Sequence, residues 1–413
     1  MTPTRQGMGR PARIGSQVWR SVIAIIAWAL LPLASHAAPT RSVWADARVI
    51  AAPGCNAVAF SQLPGATNQF VGRFLLDAKG QIPKRFAMDC GGGAKNRWAL
   101  TLNSLDWGTG RMTAQKAVLD TSTDPATGQP RAKITGGPFA GAYIESAYDP
   151  SVVTYRGEVL VSFECILPNG GNYGVDGTST CVGVYDRGTQ SIDLSRTTVA
   201  VSGHHVGGHF IAGAVGKLLV WRGGLYVYWS SLVVDGANGK FQGSTTRGAQ
   251  LALSPQGWVV PDQGGKVVLA DTGPVVWGPV AGDPLSDTIV DVRQLWSDHG
   301  TIYALAALGG SGCSGPQDGQ PGCFRLAAAR AIQPLGVGVF HQVNGVALPS
   351  NPEEYGSIVR DPTGRAFIMG QYFRPPADGV SDRDSAPDRD FWAKSPTRGA
   401  MVLFPADLGA IEK

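Results

Sequence analysis

The sequence contains few charged residues and no run of basic ones. Only 16% of its 413 residues are charged, and the formal net charge is +4. Residues 1–37 hold four arginines and no acidic residue, so residues 38–413 carry equal numbers of basic and acidic side chains. A chain with this balance, and without an aromatic RNA-binding signature, is not predicted to bind nucleic acid.

Several catalytic motifs are also absent. The chain has no glycine-rich phosphate loop, no H-E-x-x-H and no G-x-S-x-G, which argues against the enzyme classes that these motifs mark. No C-x-x-C occurs among the six cysteines, so a zinc site is a weaker interpretation than a disulfide framework. Local pairing within repeats predicts the bridges Cys55–Cys90, Cys165–Cys181 and Cys313–Cys323.

No apolar segment reaches the ~20 residues that a membrane-spanning helix needs. The apolar run Val22–Ala34 follows four arginines and precedes Ser35-His36-Ala37, which has small residues at both positions that a signal peptidase recognises. We therefore predict a secretory signal peptide at residues 1–37, with an uncleaved anchor as the alternative. Residues 38–413 are then expected to be secreted or periplasmic, with no membrane span after signal removal.

Helical periodicity is nearly absent, whereas the 56 glycines and 28 prolines are typical of short strands joined by tight turns. One unit occurs five times: an apolar strand, a turn ending in glycine, and a second apolar or aromatic strand. The turn glycines lie 64–77 residues apart, at Gly80, Gly157, Gly223, Gly300 and Gly364. A third strand follows in most copies, and a fourth follows in several.

Four antiparallel strands repeated five times predict an all-β fold, a five-bladed β-propeller formed by residues 38–413 as a single domain. The last copy ends after its third strand, so a strand near Ser42–Ile50 is expected to complete that blade and close the ring. Phe324–Ile332 is compatible with a helix, but its place in the repeat predicts a strand. A pair of β-sandwiches is the structural alternative.

The second copy contains the carboxylates that most resemble a catalytic pair. A two-residue turn at residues 156–157 places Asp149 directly opposite Glu164, and Glu145 has the same strand parity as Asp149. Two carboxylates this close disfavour joint ionisation, which raises the pKa of one and provides the acid and the base of glycosidic-bond hydrolysis. Alternatively, Asp149 merely begins a strand and Glu164 forms an ion pair.

The five copies, together with Asp-Pro-Ser-Val-Val at Asp149–Val153 before a glycine turn and an aromatic strand, resemble the five-bladed propeller glycosidases. Glycoside hydrolase family 43 is the best-known example. The resemblance covers residues 38–413 as architecture and Asp149–Val153 as motif, and it implies that Asp149 is the general base. The family's other carboxylates are not matched, which leaves Glu164 and Asp291 as candidates for the acid. A furanosyl polymer such as arabinan is the substrate that the resemblance implies.

The third copy has histidines where that family has a carboxylate. His205 and His209 share parity on an extended chain, which suits a metal site or, in a glycine-rich loop, hydrogen bonds to a ligand. The aromatic residues predicted to stack on sugar rings include Tyr148, Trp229 and Tyr355. The loop Arg374–Arg398 is expected to be a solvated acidic segment that overhangs the mouth of the central channel.

These observations predict an exported glycoside hydrolase that inverts configuration, with Asp149 as base and Glu164 or Asp291 as acid. Its partner is a carbohydrate, and no cofactor is predicted to be required, although a structural cation in the central channel is an open alternative. The rival interpretation is a non-catalytic propeller that binds glycans or a partner protein, since one architecture supports many functions.

Overall fold

The structure of the protein is a computed structural model. It describes residues 47–50, 58–76, 97–237, 241–262, 268–269, 273–278, 287–310, 324–346, 348, 352–373 and 399–412, all within the unit Ser42–Lys413. The predicted signal peptide and the loop Arg374–Arg398 lie outside these ranges, as do the cysteines of two predicted bridges. No helix within the ranges is long and apolar enough to cross a membrane.

The described chain is almost entirely β-strand. A short strand comes first, β1 (Arg48–Ile50). The first blade contains β2 (Val58–Gln62), β3 (Gln69–Leu76), β4 (Arg97–Asp106) and β5 (Arg111–Leu119). The second contains β6 (Ser146–Tyr155), β7 (Glu158–Ile166), β8 (Asp176–Asp186) and β9 (Ser191–Val206).

The third blade has a divided outer edge, because two short strands both pair with its third strand. It contains β10 (His209–Trp221), β11 (Gly224–Asp235), β12 (Phe241–Leu253), β13 (Val259–Pro261) and β14 (Val275–Trp277). The fourth contains β15 (Asp287–Asp298), β16 (Thr301–Gly310), β17 (Phe324–Ala331) and β18 (His341–Val343). The fifth contains β19 (Pro352–Arg360), β20 (Ala366–Phe373) and β21 (Gly399–Pro405), followed by the helix α1 (Leu408–Glu412).

The five innermost strands form a closed ring. They contact one another in the cyclic order β2, β6, β10, β15, β19 and back to β2. The strand β1 pairs antiparallel with β21, with Arg48 opposite Leu403, and so completes the fifth blade from the other end of the chain. The predicted five-bladed propeller and its closing strand are confirmed, and a pair of stacked sandwiches is not.

Tight turns explain why the repeat is visible in the sequence. In the hairpin between β6 and β7, Arg156 and Gly157 have φ values of 51° and 83°. Two successive left-handed residues make the turn whose twist matches that of the strands, and glycine favours the second position. The turns at Gly223 and Gly300 repeat this geometry.

Each innermost strand also contains a bulge that the repeat does not reveal. Near the middle of the strand, the register with the second strand shifts by one residue in all five blades. The extra residues lie at 59–60, 149–150, 215–216, 293 and 355–356. A bulge bends the strand and redirects a side chain, and two of these positions hold charged residues, Asp149 and Arg293.

Serines that follow the bulges link neighbouring blades. Ser61 Oγ in the first blade accepts a hydrogen bond from the backbone N–H of Val152 in the second (3.0 Å). Ser151 Oγ accepts one in the same way from Leu218 in the third (3.2 Å). The serine of one blade thus satisfies a backbone donor in the innermost strand of the next blade.

Apolar packing holds the blades internally, and a disulfide adds to it among the residues that the structure describes. Cys165 in β7 and Cys181 in β8 form the predicted bridge, with an S–S distance of 2.02 Å. Both cysteines are fully buried in a core cluster with Phe163. The predicted strand at Phe324–Ile332 is confirmed as β17, which pairs with β16 along its whole length.

The closing strand gives the first prediction. Ile50 in β1 is 3% exposed and packs in a core cluster with Met401 and Leu403 of β21. We expect Ile50→Ala to lower the free energy of unfolding by about 2–5 kcal/mol, because it leaves a cavity at the point where the ring closes. Urea unfolding followed by tryptophan fluorescence measures this loss.

Ile332→Ala is the matched control, because Ile332 is 79% exposed. We expect it to change the free energy of unfolding by less than about 0.5 kcal/mol. An equal loss for the two variants would show that β1 does not stabilise the ring.

Candidate active site

Six charged side chains from four blades gather around the centre of the ring, and we call them the channel cluster. They are Arg73 on β3, Asp149 on β6, Glu164 on β7, Lys217 on β10, and Asp291 and Arg293 on β15. Glu164 is partly exposed, whereas the other five are at most 6% exposed. Burying an ion costs several kcal/mol unless an opposite charge is close. Two ion pairs, Arg73 with Asp149 and Arg293 with Asp291, meet that requirement.

Asp149 lies in the bulge of β6 with a φ of 52°, a conformation that is uncommon for a residue other than glycine. Its Oδ1 is 3.5 Å from Nη1 of Arg73. This oxygen is buried and has no hydrogen-bond partner among the described residues. The carboxylate is therefore balanced by an adjacent positive charge while one of its oxygens is still able to accept a proton.

Glu164, in contrast, is favoured in its protonated form. Its burial, and then the negative charge of Asp149, raise the pKa of Glu164 to about 8. The backbone N–H of Val215, which donates to Oε2 at 3.2 Å, and the charge of Arg73 oppose this increase. The protonated form of Glu164 is therefore favoured, and in that form Glu164 can donate a proton.

Asp291 is held by two partners on the opposite side of the cluster. Its Oδ1 accepts a hydrogen bond from Ser230 Oγ at 2.6 Å, and its Oδ2 is 3.1 Å from Nη2 of Arg293. Both oxygens therefore already have a close partner. This geometry suits an electrostatic role better than proton donation.

Lys217 is 3% exposed in the middle of β10, and its Nζ donates a hydrogen bond to the backbone carbonyl of Asp149 at 3.0 Å. Burial lowers the pKa of Lys217 to about 8, although the negative charges of Asp149 and Asp291 oppose the decrease. The ammonium form predominates below that pH.

Two aromatic rings hold Arg73 in place. Its Cζ lies 4.4 Å from the centroid of the Trp98 ring and 5.6 Å from that of Tyr148. Cation–π contacts of this kind orient a guanidinium. Tyr148 is partly exposed and pairs across the strands with Glu164, so the predicted aromatic residue does lie beside the predicted acid.

The predicted register of Asp149 and Glu164 is wrong by one residue. Tyr155 pairs with Glu158 as expected, and the register holds as far as Ser151 opposite Ser162. The bulge then places Tyr148, rather than Asp149, opposite Glu164. Asp149 stays close enough to be the main charge acting on Glu164, but from the bulge and not from a ladder position.

The parity argument for the histidines is also wrong. Val206 pairs with His209 across a turn at residues 207–208, and His205 pairs with Phe210. Paired residues share a face and successive residues alternate, so His205 and His209 lie on opposite faces of the hairpin. His205 is exposed, and its Nε2 lies 3.1 Å from Oδ2 of Asp176.

The remaining predicted ligand contacts are not brought together in the cluster. Trp229 is 1% exposed and packs in the core beside Val227 and Leu251, so its surface is not open to a ligand. Glu145 precedes β6 and is partly buried, with its backbone N–H bonded to Ile166 O at 2.8 Å. Tyr355 belongs to β19, but its side chain lies outside the described residues.

Sequence reasoning missed four residues of the site: Arg73, Trp98, Lys217 and Arg293. The three basic residues share a signal, because each lies within a largely apolar stretch: F-V-G-R-F-L-L, G-A-V-G-K-L-L-V and I-V-D-V-R-Q-L-W, the last of which also contains Asp291. A charge is rarely buried unless it is paired. Three such charges in different repeats indicate a shared interior site in the ring.

The sequence itself matches no protein-family profile and no curated protein. Solved structures with a similar fold include an arabinanase from Bacillus subtilis, 9% identical, with 88% of this chain and 96% of that chain covered and a TM-score of 0.47. An α-L-arabinofuranosidase from Lactobacillus brevis is 11% identical, with coverages of 84% and 90% and a TM-score of 0.45. A glycoside hydrolase family 43 enzyme from Xanthomonas citri, complexed with xylose, is 12% identical, with coverages of 86% and 89% and a TM-score of 0.45. At these values the likeness concerns the arrangement of strands alone.

The raised pKa of Glu164 predicts how stability depends on pH. Above pH 4.5 the unfolded chain loses this proton, whereas the folded protein keeps it up to about pH 8. The contribution of Glu164 therefore makes the free energy of unfolding fall as pH rises through this window, by up to about 1.4 kcal/mol per pH unit. Glu164→Gln does not titrate and is expected to lack this fall.

Urea unfolding of wild type and variant at several pH values within that window measures the difference. Thr197→Ala is the control, because it removes a buried side-chain hydrogen bond of the same blade, to Asp193 O, but no titrating group. It should displace the whole curve without changing its shape. Parallel curves for wild type and Glu164→Gln would show that Glu164 is ionised in the folded protein.

Proposed function

We propose that the protein is a glycoside hydrolase that cleaves an oligosaccharide or polysaccharide with inversion of configuration. The observation that carries the proposal is the contrast between two neighbouring carboxyl groups. Burial keeps Glu164 protonated, and Arg73 balances the charge of Asp149. A proton donor and a proton acceptor in one site are what hydrolysis of a glycosidic bond requires.

In this mechanism Glu164 gives its proton to the leaving oxygen while Asp149 takes a proton from the attacking water. The C–O bond to the leaving group breaks as the bond from water to the anomeric carbon forms. Inverting enzymes separate the two carboxyl groups by roughly 6.5–9.5 Å, so that the water fits between one of them and the sugar. Asp291 supplies negative charge from the far side of the cluster rather than the proton.

Export is part of the proposal. The bridge Cys165–Cys181 supports it, because disulfides persist in oxidising compartments such as the periplasm and the extracellular space. The basic and apolar segment at residues 1–37 supports it independently. Long glycans that do not enter the cytoplasm are then the natural substrate class, with furanosyl polymers such as arabinan among them.

The activity test is the release of sugars from a panel of plant and bacterial polysaccharides that includes arabinan. We expect Asp149→Asn and Glu164→Gln each to reduce the rate by about 10²–10⁴-fold, which is the usual contribution of one acid–base group. Glu158→Gln is the matched control, because Glu158 lies on the same strand as Glu164 but pairs with Arg196 outside the channel cluster. It should keep full activity.

An aryl glycoside with a good leaving group distinguishes the acid role of Glu164 from the base role of Asp149. Such a leaving group departs without protonation, so Glu164→Gln should recover most of its activity on it, whereas Asp149→Asn should not. Full sugar release by Asp149→Asn would remove the proposed base. Equal losses for both variants on the activated substrate would remove the proposed division of roles.

A non-catalytic, glycan-binding propeller is the second candidate, and one observation favours it. Asp149 and Asp291 are both ion-paired and at most 5% exposed. This also suits a cluster that stabilises the closed ring and has no catalytic role. This candidate predicts binding of a glycan without release of sugar, and binding that survives Asp149→Asn. Isothermal titration with the same panel distinguishes it from the hydrolase.

A further inference from the structure

The strand segment Val215–Leu218 of the third blade holds the carboxyl pair of the second. Four hydrogen bonds join the two. Val215 N–H donates to Glu164 Oε2 (3.2 Å), Ser162 Oγ donates to Gly216 O (2.7 Å), Lys217 Nζ donates to Asp149 O (3.0 Å) and Leu218 N–H donates to Ser151 Oγ (3.2 Å). Val215 thus bonds to the carboxyl group of Glu164 and Lys217 to the backbone of Asp149, while Gly216 and Leu218 bond to serines of the same two strands.

The close approach is built into the backbone of this segment. Val215 has a φ of 52°, and the residue after it is glycine. A Cβ added at Gly216 would lie 2.1 Å from Cγ2 of Thr180 in the second blade, which is too close for any side chain. The bulge of β10 is therefore pressed against the second blade, and Lys217 follows directly from it.

We infer that Lys217 is the positioning residue of this site: its ammonium group holds the left-handed backbone of Asp149 and keeps the charge balance between Asp149 and Glu164. The inference rests on the proposed function for its catalytic meaning. Lys217 itself is buried and bonds to a backbone carbonyl, so it acts through Asp149 and Glu164 rather than on a substrate.

Four charged groups on three neighbouring strands act on Lys217. Asp149 faces it from β6, Glu164 from β7, and Asp291 and Arg293 from β15. The three acids favour the ammonium form, whereas burial and Arg293 disfavour it. By reciprocity the ammonium favours ionised carboxylates, so its removal should raise the pKa of Glu164 further.

Three variants separate the hydrogen bond from the charge. Lys217→Gln keeps a donor without the charge, Lys217→Met removes both, and Lys217→Arg keeps both. For the active enzyme we expect Lys217→Met to lower kcat by about 10²-fold, the usual result of a misplaced catalytic group, with KM little changed. In Lys217→Gln and Lys217→Met the alkaline limb of the pH profile should move to higher pH, because Glu164 keeps its proton longer.

A profile with an unmoved alkaline limb in both variants would overturn the inference. So would a change in KM alone, since that describes a substrate contact. Lys217→Arg should place the alkaline limb close to that of the wild type, and if it behaves like Lys217→Met the charge is not what matters.

A second measurement does not need activity, so it separates failure of this inference from failure of the proposed function. In the wild type, Glu164 makes the free energy of unfolding fall with pH up to about 8, and Lys217 makes it rise from about 8 to 10.5. In Lys217→Gln the fall should continue beyond pH 8 and the rise should disappear. A curve that keeps the wild-type minimum would overturn the inference even if the protein releases no sugar.

Discussion

The structure depends on the neutralisation of charge inside the ring. Six ionisable side chains lie where five innermost strands converge, and water reaches mainly Glu164. At low effective dielectric a charge without an opposite partner costs far more than it does on the surface. The ion pairs Arg73–Asp149 and Arg293–Asp291 offset this cost. For Glu164 the cost is smaller because the protonated, uncharged form is favoured.

Backbone geometry makes this arrangement possible. Regular strands would present alternate side chains at fixed heights, but one extra residue in each innermost strand turns a residue out of the ladder. Three of these residues, Ala59, Asp149 and Val215, take left-handed conformations that cost about 1–3 kcal/mol each, and the last two are hydrogen-bonded to neighbouring blades. These bonds run from Lys217 to the carbonyl of Asp149 and from Val215 to Glu164.

The repeated features of the fold could be predicted from the sequence, whereas local departures from the repeat could not. Glycine turns recur at similar intervals, and so the number of blades, their order and the closing strand at Arg48–Ile50 could be predicted. The predicted position of the first copy is wrong, because its first two strands, Val58–Gln62 and Gln69–Leu76, both precede the predicted turn at Gly80. The bulge at Asp149 could not, because a left-handed aspartate looks the same in sequence as an extended one. Parity likewise failed for His205 and His209, since the turn between them reverses the chain. Distant partners such as Arg73 needed the closed ring before they could be assigned to Asp149.

The composition of the cluster favours a functional origin over a structural one. A buried ion pair contributes little net stability, and well-packed apolar residues of similar volume are often as stable or more so. A ring held only by packing would therefore place valine or leucine at positions 73, 217 and 293, as their neighbours in the same strands do. The chain instead keeps three basic and three acidic groups near the centre of the ring, where burial favours the protonated form of Glu164 while Arg73 balances the charge of Asp149. That difference in protonation gives no advantage in packing, but it is the requirement of acid–base chemistry.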